Sequence, residues 1–237
     1  MRKSFRLAAV GGHAAVLLPA ALLASAGADE PPARPPLALP TAYLQVQVDS
    51  LVPEVDSLGE LVTYGQHLAR IRIESEQTSE MSSDERQDAY GVVGRRLTYS
   101  VLDTLWSQSG VQPLPSSGTT NGNGWLYDHG TLTAIKAADV PWLSVGHDYL
   151  VMFSSVRIPP QLLAGNAPAG WSIVAPETVV AADDGVFGRG EPLSGGSPVR
   201  AQLTGLTRAQ IVALVGSANP DRTAPAYAGI DPSRAKG

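Results

Sequence analysis

The chain has 237 residues, no cysteine, and 17 basic against 22 acidic residues, for a formal charge of −5. Without cysteine there is no disulfide framework, cysteine-based metal site, catalytic thiol or cysteine-linked lipid. The acidic balance argues against nonspecific contact with nucleic acid or anionic lipid, each of which wants a positive footprint.

The N-terminus reads as an address. Arg2, Lys3 and Arg6 precede a largely apolar run over residues 7–23, and small residues follow at 24–28. That is the layout of a secretory signal over residues 1–28. Gly11, Gly12, His13 and Pro19 interrupt the run, and a spanning helix wants about 20 predominantly apolar residues. Cleavage could follow Ala26 or Ala28; the latter is preferred because Asp29 and Glu30 then open the mature chain. An uncleaved anchor is the alternative. Removing the signal takes away three basic residues and no acid, leaving 14 against 22, a charge of −8. Residues 29–40 (DEPPARPPLALP) read as a proline-rich spacer. Residues 41–218 read as a single β domain, and 219–237 as a disordered tail.

Strand signals dominate the domain. Residues 43–49 alternate Leu44, Val46 and Val48 with polar neighbours, the period of a half-buried strand. Residues 61–76 read as one longer strand, Ile71 and Ile73 facing one way and Arg70, Arg72 and Glu74 the other. Residues 82–90 suggest a short exposed turn. Residues 95–106 give a strand with Leu97, Tyr99 and Val101 on one face. Residues 107–124 carry small polar side chains and read as a long disordered loop. Residues 125–135 form a weaker strand signal. Residues 149–153 (YLVMF) are apolar on both faces, which predicts the most central strand. Residues 171–174 and 178–181 look like a short pair, and Asp183-Asp184-Gly185 supplies a turn. The helix signal lies over residues 207–215: Thr207 and Gln210 form a capping box, Leu206 and Ile211 a staple, and Gly216 the stop. The expected fold is mostly β, a small curved antiparallel sheet or an OB-like Greek-key barrel with one short C-terminal helix.

Few residues group into recognisable chemistry. His67, His129 and His147 remain once the signal is removed, two of them beside an acid in Asp128-His129 and His147-Asp148. Neighbours on a strand point to opposite faces, so each pair offers at most one ligand, and no HExxH spacing occurs; no metal is expected. The glycine-serine stretches at 195–198 and 216–218 lack the G-x-S-x-G elbow, and Ser233 with Lys236 lies in the tail. Glu74 and Glu76 share a face by strand parity, and Glu85 and Asp88 do if their turn is helical, but both sets belong to a charge-rich exposed segment. Trp106 and Trp171 are expected in the core. Trp125 and Trp142 flank loops and are the expected exposed ligand-binding residues.

Leu61-Val62-x-x-Gly65 and the alternation that follows to Glu74 resemble the opening strand of small exported bacterial β-barrel proteins. Those proteins are similar to the netrin-module and metalloproteinase-inhibitor type of OB-fold. Residues 97–105 resemble their strand leading into a loop, and VGHDYLVMF at 145–153 their G-x-x-Y-L-hydrophobic-F strand. The turn at 184–187 and the helix opening at Leu206-Thr207 follow in the same order. Netrin-type members carry disulfides, which this chain lacks, and the loop after Trp106 is longer, so inhibition does not carry over. The resemblance implies a small Greek-key barrel and no particular activity.

The functional expectation is an exported, nonenzymatic module without a cofactor, binding a protein or glycan of the envelope or extracellular space. Its contact surface would combine residues 107–124 with Trp125 or Trp142. Neither nucleic acid nor, after cleavage, membrane is an expected partner. One alternative is a secreted hydrolase using His67, His129 or His147 with a carboxylate; another is a membrane-tethered envelope domain. The geometry that separates binding from chemistry is whether any of these histidines lies within about 5 Å of another, or of a carboxylate, in a pocket.

Overall fold

A computed structural model describes residues 44–46, 54–137, 140–156, 170–191 and 196–225. The expected signal, the spacer and residues 226–237 lie outside the described residues. The fold is mostly β, a curled antiparallel half-barrel sheet with a few short helices. In chain order the elements are β1 (Leu44–Val46), α1 (Leu58–Tyr64), β2 (His67–Thr78), α2 (Ser83–Gln87), β3 (Tyr90–Ser107) and β4 (Ser117–Asp128). There follow β5 (Thr131–Ala137), β6 (Asp148–Val156), β7 (Gly170–Val174), β8 (Val180–Ala181), α3 (Pro198–Leu203) and α4 (Arg208–Gly216). No helix among the described residues is long and apolar enough to cross a membrane.

The strand order is β1-β5-β4-β3-β2-β6-β7, with β8 also paired to β6. Strands β2 to β5 form an antiparallel meander, and β6 then returns to lie antiparallel beside β2. That return is the Greek-key move, here with one extra strand in the meander. β1 adds to β5 in parallel. Register shifts interrupt the β2–β3 ladder at three places and the β3–β4 ladder at Val93/Arg95. Each extra residue bends its strand and raises the local twist, which is how a long ribbon curls.

Strand β6 has a core on each face. Leu150 and Met152 join Leu68, Leu61, Val62, Val199, Leu203, Ile211 and Val215 beneath α1, α3 and α4. Tyr149, Val151 and Phe153 face the other way, onto Ile71, Ile73, Leu97 and Tyr99. All five residues of the YLVMF run are no more than 1 % exposed. The strand is central by cover, with β2 on one edge and β7 and β8 on the other, although β3 holds the middle of the strand order.

Several expectations change. Residues 61–64 are helical: Ser57 and Glu60 form a reciprocal capping box, and Gly65 ends the helix against the Met152 side chain. The strand therefore starts at His67. The loop expected over 107–124 shrinks to 108–116, because β4 begins at Ser117. Its glycines are what let it pair. A Cβ at Gly122 would stand 2.9 Å from Leu97 Cδ1, and one at Gly118 would meet the Tyr99 hydroxyl, so large β3 side chains lie across bare β4 backbone. The 125–135 segment is two strands joined at His129-Gly130, both at positive φ, as a tight two-residue hairpin requires. β7 and β8 pair with β6 rather than with each other.

The C-terminal part gains structure beyond the one expected helix. Ser197 caps α3 with Pro198 in its first turn, at a place read as a glycine-serine turn. The opening of the expected tail is held on α1, where the Asp221 amide donates to Thr63 Oγ1 (2.8 Å) and the Tyr64 hydroxyl to the Pro225 carbonyl (2.9 Å). Helix α4 has its Thr207–Gln210 capping box. Since Phe153 fills the core with almost no exposure, Phe153→Ala should lower the unfolding free energy by about 3–5 kcal/mol. Urea titration followed by circular dichroism measures this, and a loss below about 1 kcal/mol would contradict the two-faced burial of β6.

Candidate functional site

The connection from β5 to β6 has to cross from one side of the meander to the other, and its described part, residues 140–147, is tied down by charge. Arg95 of β3 is buried beneath it. Its Nη1 donates to the carbonyls of Trp142 (2.7 Å) and Asn123 (3.3 Å), and its Nη2 to the Leu143 carbonyl (3.1 Å) and to Glu76. The Glu191 carboxylate accepts from the Trp142 amide at 2.7 Å and from Lys136 Nζ at 3.0 Å. A buried guanidinium without partners would cost several kcal/mol; here Glu76 and three carbonyls take up its charge.

Sequence reasoning singled out Trp125 and Trp142, and the fold brings them together. Their rings meet edge to face at 5.6 Å, with the Arg95 guanidinium 4.2 Å from the Trp142 centroid and 5.6 Å from that of Trp125. This is a cation–π cluster inside the protein. Trp142 is only 4 % exposed, which corrects the expectation of an exposed ring: the connection folds inward instead of forming an outer loop. Trp125 is half-buried. Trp106 packs against the helix-side core and Trp171 against the opposite one.

The three histidines scatter. His129 is exposed in the β4–β5 turn, bonded to Asp128. His67 is buried on β2, its Nδ1 2.8 Å from Ser107 Oγ and its Nε2 2.8 Å from the Gln112 carbonyl. A carbonyl only accepts, so Nε2 carries the proton and Nδ1 accepts from Ser107. Burial pushes the His67 pKa down, opposed by the bond to Gln112.

His147 lies within the expected distance of an acid. Its Nδ1 stands 2.7 Å from Asp183 Oδ2, and Asp183 Oδ1 accepts from the Asp148 amide at 2.9 Å. Asp148 itself takes Arg72 at 2.8 Å and Arg70 at 3.6 Å. A neutral His147 donates from Nδ1 and keeps a lone pair on Nε2, the tautomer of a general base. Yet His147 and Asp183 are 5 % and 7 % exposed, and a general base must reach the proton it takes. The pair anchors the start of β6 to the turn at 183–185. The sequence shows that turn plainly but does not reveal that Asp183 points inward while Asp184, at φ 55, points out.

The acidic pairs separate. Ile73 faces Tyr99 but Glu76 faces Leu97, because a bulge lies between; Glu74 meets Ser100 while Glu76 meets Arg95. One extra residue resets the parity, so these carboxylates sit on opposite faces. Glu85 is used in capping, bonded to the amides of Ser82 and Val92. Among the described residues no three His, Asp or Glu side chains are grouped to hold a metal.

Exposed apolar side chains gather elsewhere, at the free end of the β3–β4–β5 ribbon. Tyr90, Val92 and Leu132 are 53 %, 49 % and 58 % exposed. Val92 lies opposite Leu126 on one face, and Gly91, Tyr127 and Leu132 line up on the other, next to the row that holds Trp125. The β3 edge at this end is covered: Val92 N donates to Glu85 and Gly94 N to Ser79 Oγ, which blocks edge-to-edge pairing there. A scan against protein-family models matches none, and a search of curated proteins finds no significant relative.

Replacing Arg95 by Met leaves Glu76 without its buried cation and frees the 142 and 143 carbonyls. The expected loss is about 3–5 kcal/mol, with a red shift of tryptophan emission as Trp142 meets water. An unchanged unfolding midpoint and spectrum would show that the clamp holds nothing.

Proposed function

We propose that this is an exported, nonenzymatic binding module whose partner is a protein, docked on the free end of the β3–β4–β5 ribbon. The observation that carries this reading is the exposure of large apolar side chains on both faces of this end, Tyr90 and Val92 on one and Leu132 on the other. A partner that grips the ribbon end would cover both faces, and exposed apolar side chains gathered in one region mark contact sites more often than isolated ones do. Asp88 and Asp128 flank Tyr90, so the partner surface is apolar with a basic rim. Exposed aliphatic side chains suit a protein better than a glycan, which wants a bare aromatic platform; Trp142 is turned inward, and Trp125 lies in the row next to Leu132 on that face alone. Export rests on the layout of residues 1–28 and places the partner in the envelope or outside the cell.

The hydrolase reading draws on one observation, the His147–Asp183 pair, beside which Ser144 Oγ and His147 Nε2 are buried without a hydrogen-bond partner. The burial of both residues weighs against substrate access.

Site-specific photocrosslinking in secreting cells tests the binding reading. A photoreactive residue at position 90 or 132 should yield one and the same protein adduct, absent when the probe stands at exposed Val186, and lost on adding Val92→Lys. Absence of a position-dependent adduct, or sedimentation with cell-wall polysaccharide that survives Leu132→Lys, would refute a protein partner at this surface.

A further inference from the structure

Residues 108–116 run between β3 and β4 for nine residues with few fixings. Two hydrogen bonds hold the ends, Gln108 N to the Gln66 carbonyl at 2.8 Å and Val101 N to the Ser116 carbonyl at 2.7 Å. In the middle, the Gln112 carbonyl takes His67 Nε2 and Leu114 leans on the core that contains Tyr99 and Phe153. The side chains of Gln112, Pro113 and Pro115 are exposed. Beneath the segment lie His67 and, edge to face at 4.6 Å, Trp171 of β7.

We propose that residues 108–116 form an acid-released flap, latched by His67 and hinged at Gln108 and Ser116. The groups that meet the imidazole are Ser107 from β3, the Gln112 carbonyl from the flap and Trp171 from β7. None of them is charged, and among the described residues no carboxylate pairs with this ring. Protonation keeps both hydrogen bonds geometrically available, since the Ser107 hydroxyl can turn from donor to acceptor. What it adds is a buried cation without a counter-charge, and that state is costly. Sheet strands surround the ring on β2, β3, β6 and β7, so water reaches it most cheaply by lifting the flap. His147 differs, because Asp183 supplies an anion beside it.

The direction follows from linkage. Burial lowers the His67 pKa from its ordinary 6.5 in the closed state. The latch therefore contributes fully above 6.5 and is lost as the pH falls toward the lowered value. One proton taken up per opening makes the open population rise about tenfold per pH unit inside that window. Opening bares Trp171 and the sheet beside it, on the face away from the helices.

Hydrogen exchange of the full chain, corrected for intrinsic rates, reads this directly. The Gln108 and Val101 amides, whose bonds to the Gln66 and Ser116 carbonyls hold the two ends of the flap, should lose protection about tenfold per pH unit below 6.5, while those of Tyr149 to Phe153 keep theirs. His67→Gln should make the flap insensitive to pH. In the unmodified protein, nuclear magnetic resonance should show the His67 ring and the flap amides titrating with one midpoint. The proposal fails if flap exchange does not respond to pH, if His67 titrates while the flap stays closed, or if His67→Gln follows the parent. Should that variant unfold, the shared midpoint in the parent decides alone.

Discussion

Strand β6 has no solvent face, and most of the architecture follows from the need to cover it twice. On one side α1, α3 and α4 deliver Leu61, Val199, Leu203 and Ile211 to Leu150 and Met152. On the other, the curled ribbon of β2 and β3 brings Ile71, Ile73, Leu97 and Tyr99 to Tyr149, Val151 and Phe153. Each large apolar side chain buried contributes roughly 1.5–3 kcal/mol. With no cysteine available, this packing has to hold the domain without any disulfide.

The Greek-key return that places β6 beside β2 creates a second demand. Its connection and the polar start of β6 have to enter a dry interior. Asp148, wholly buried, is met by Arg70 and Arg72; Asp183 receives His147 and the Asp148 amide; Arg95 and Glu191 hold the backbone at 142 and 143. Compensation there is incomplete. The buried side-chain atoms found without a hydrogen-bond partner among the described residues are Arg95 Nε, Ser144 Oγ and His147 Nε2, all on or against this segment. Leu143 adds a left-handed backbone at φ 51, a conformation costly for a branched side chain. The polar crossover therefore combines unpartnered buried atoms with a left-handed backbone.

The surface divides accordingly. Where β3 runs past the end of β2, Ser79 and Glu85 take up the exposed amides, so that edge is shielded from strand pairing while its apolar side chains stay open. The histidines divide too. His147 is a strut with its own anion, His129 an exposed turn residue, and His67 a neutral bridge from the sheet to a loop. A shared residue type therefore carries three unrelated roles, set by what each ring meets.

Local features were legible in the amino-acid pattern: the alternation of β3, the two-faced YLVMF strand, the α4 capping box and the 183–185 turn. All depend on contacts within about four residues of one another, and that is the range over which side-chain periodicity and capping chemistry act. The Ser57–Glu60 box was equally present, masked by the alternation that follows it. Long-range packing was needed to make a glycine-rich stretch into β4, since its partner side chains Leu97 and Tyr99 come from another strand. It alone set Glu74 and Glu76 apart through one bulged residue, turned Trp142 inward onto Arg95, and joined Asp183 to His147 across 36 positions. Those outcomes depend on register and on partners distant in the chain, and no local pattern encodes either.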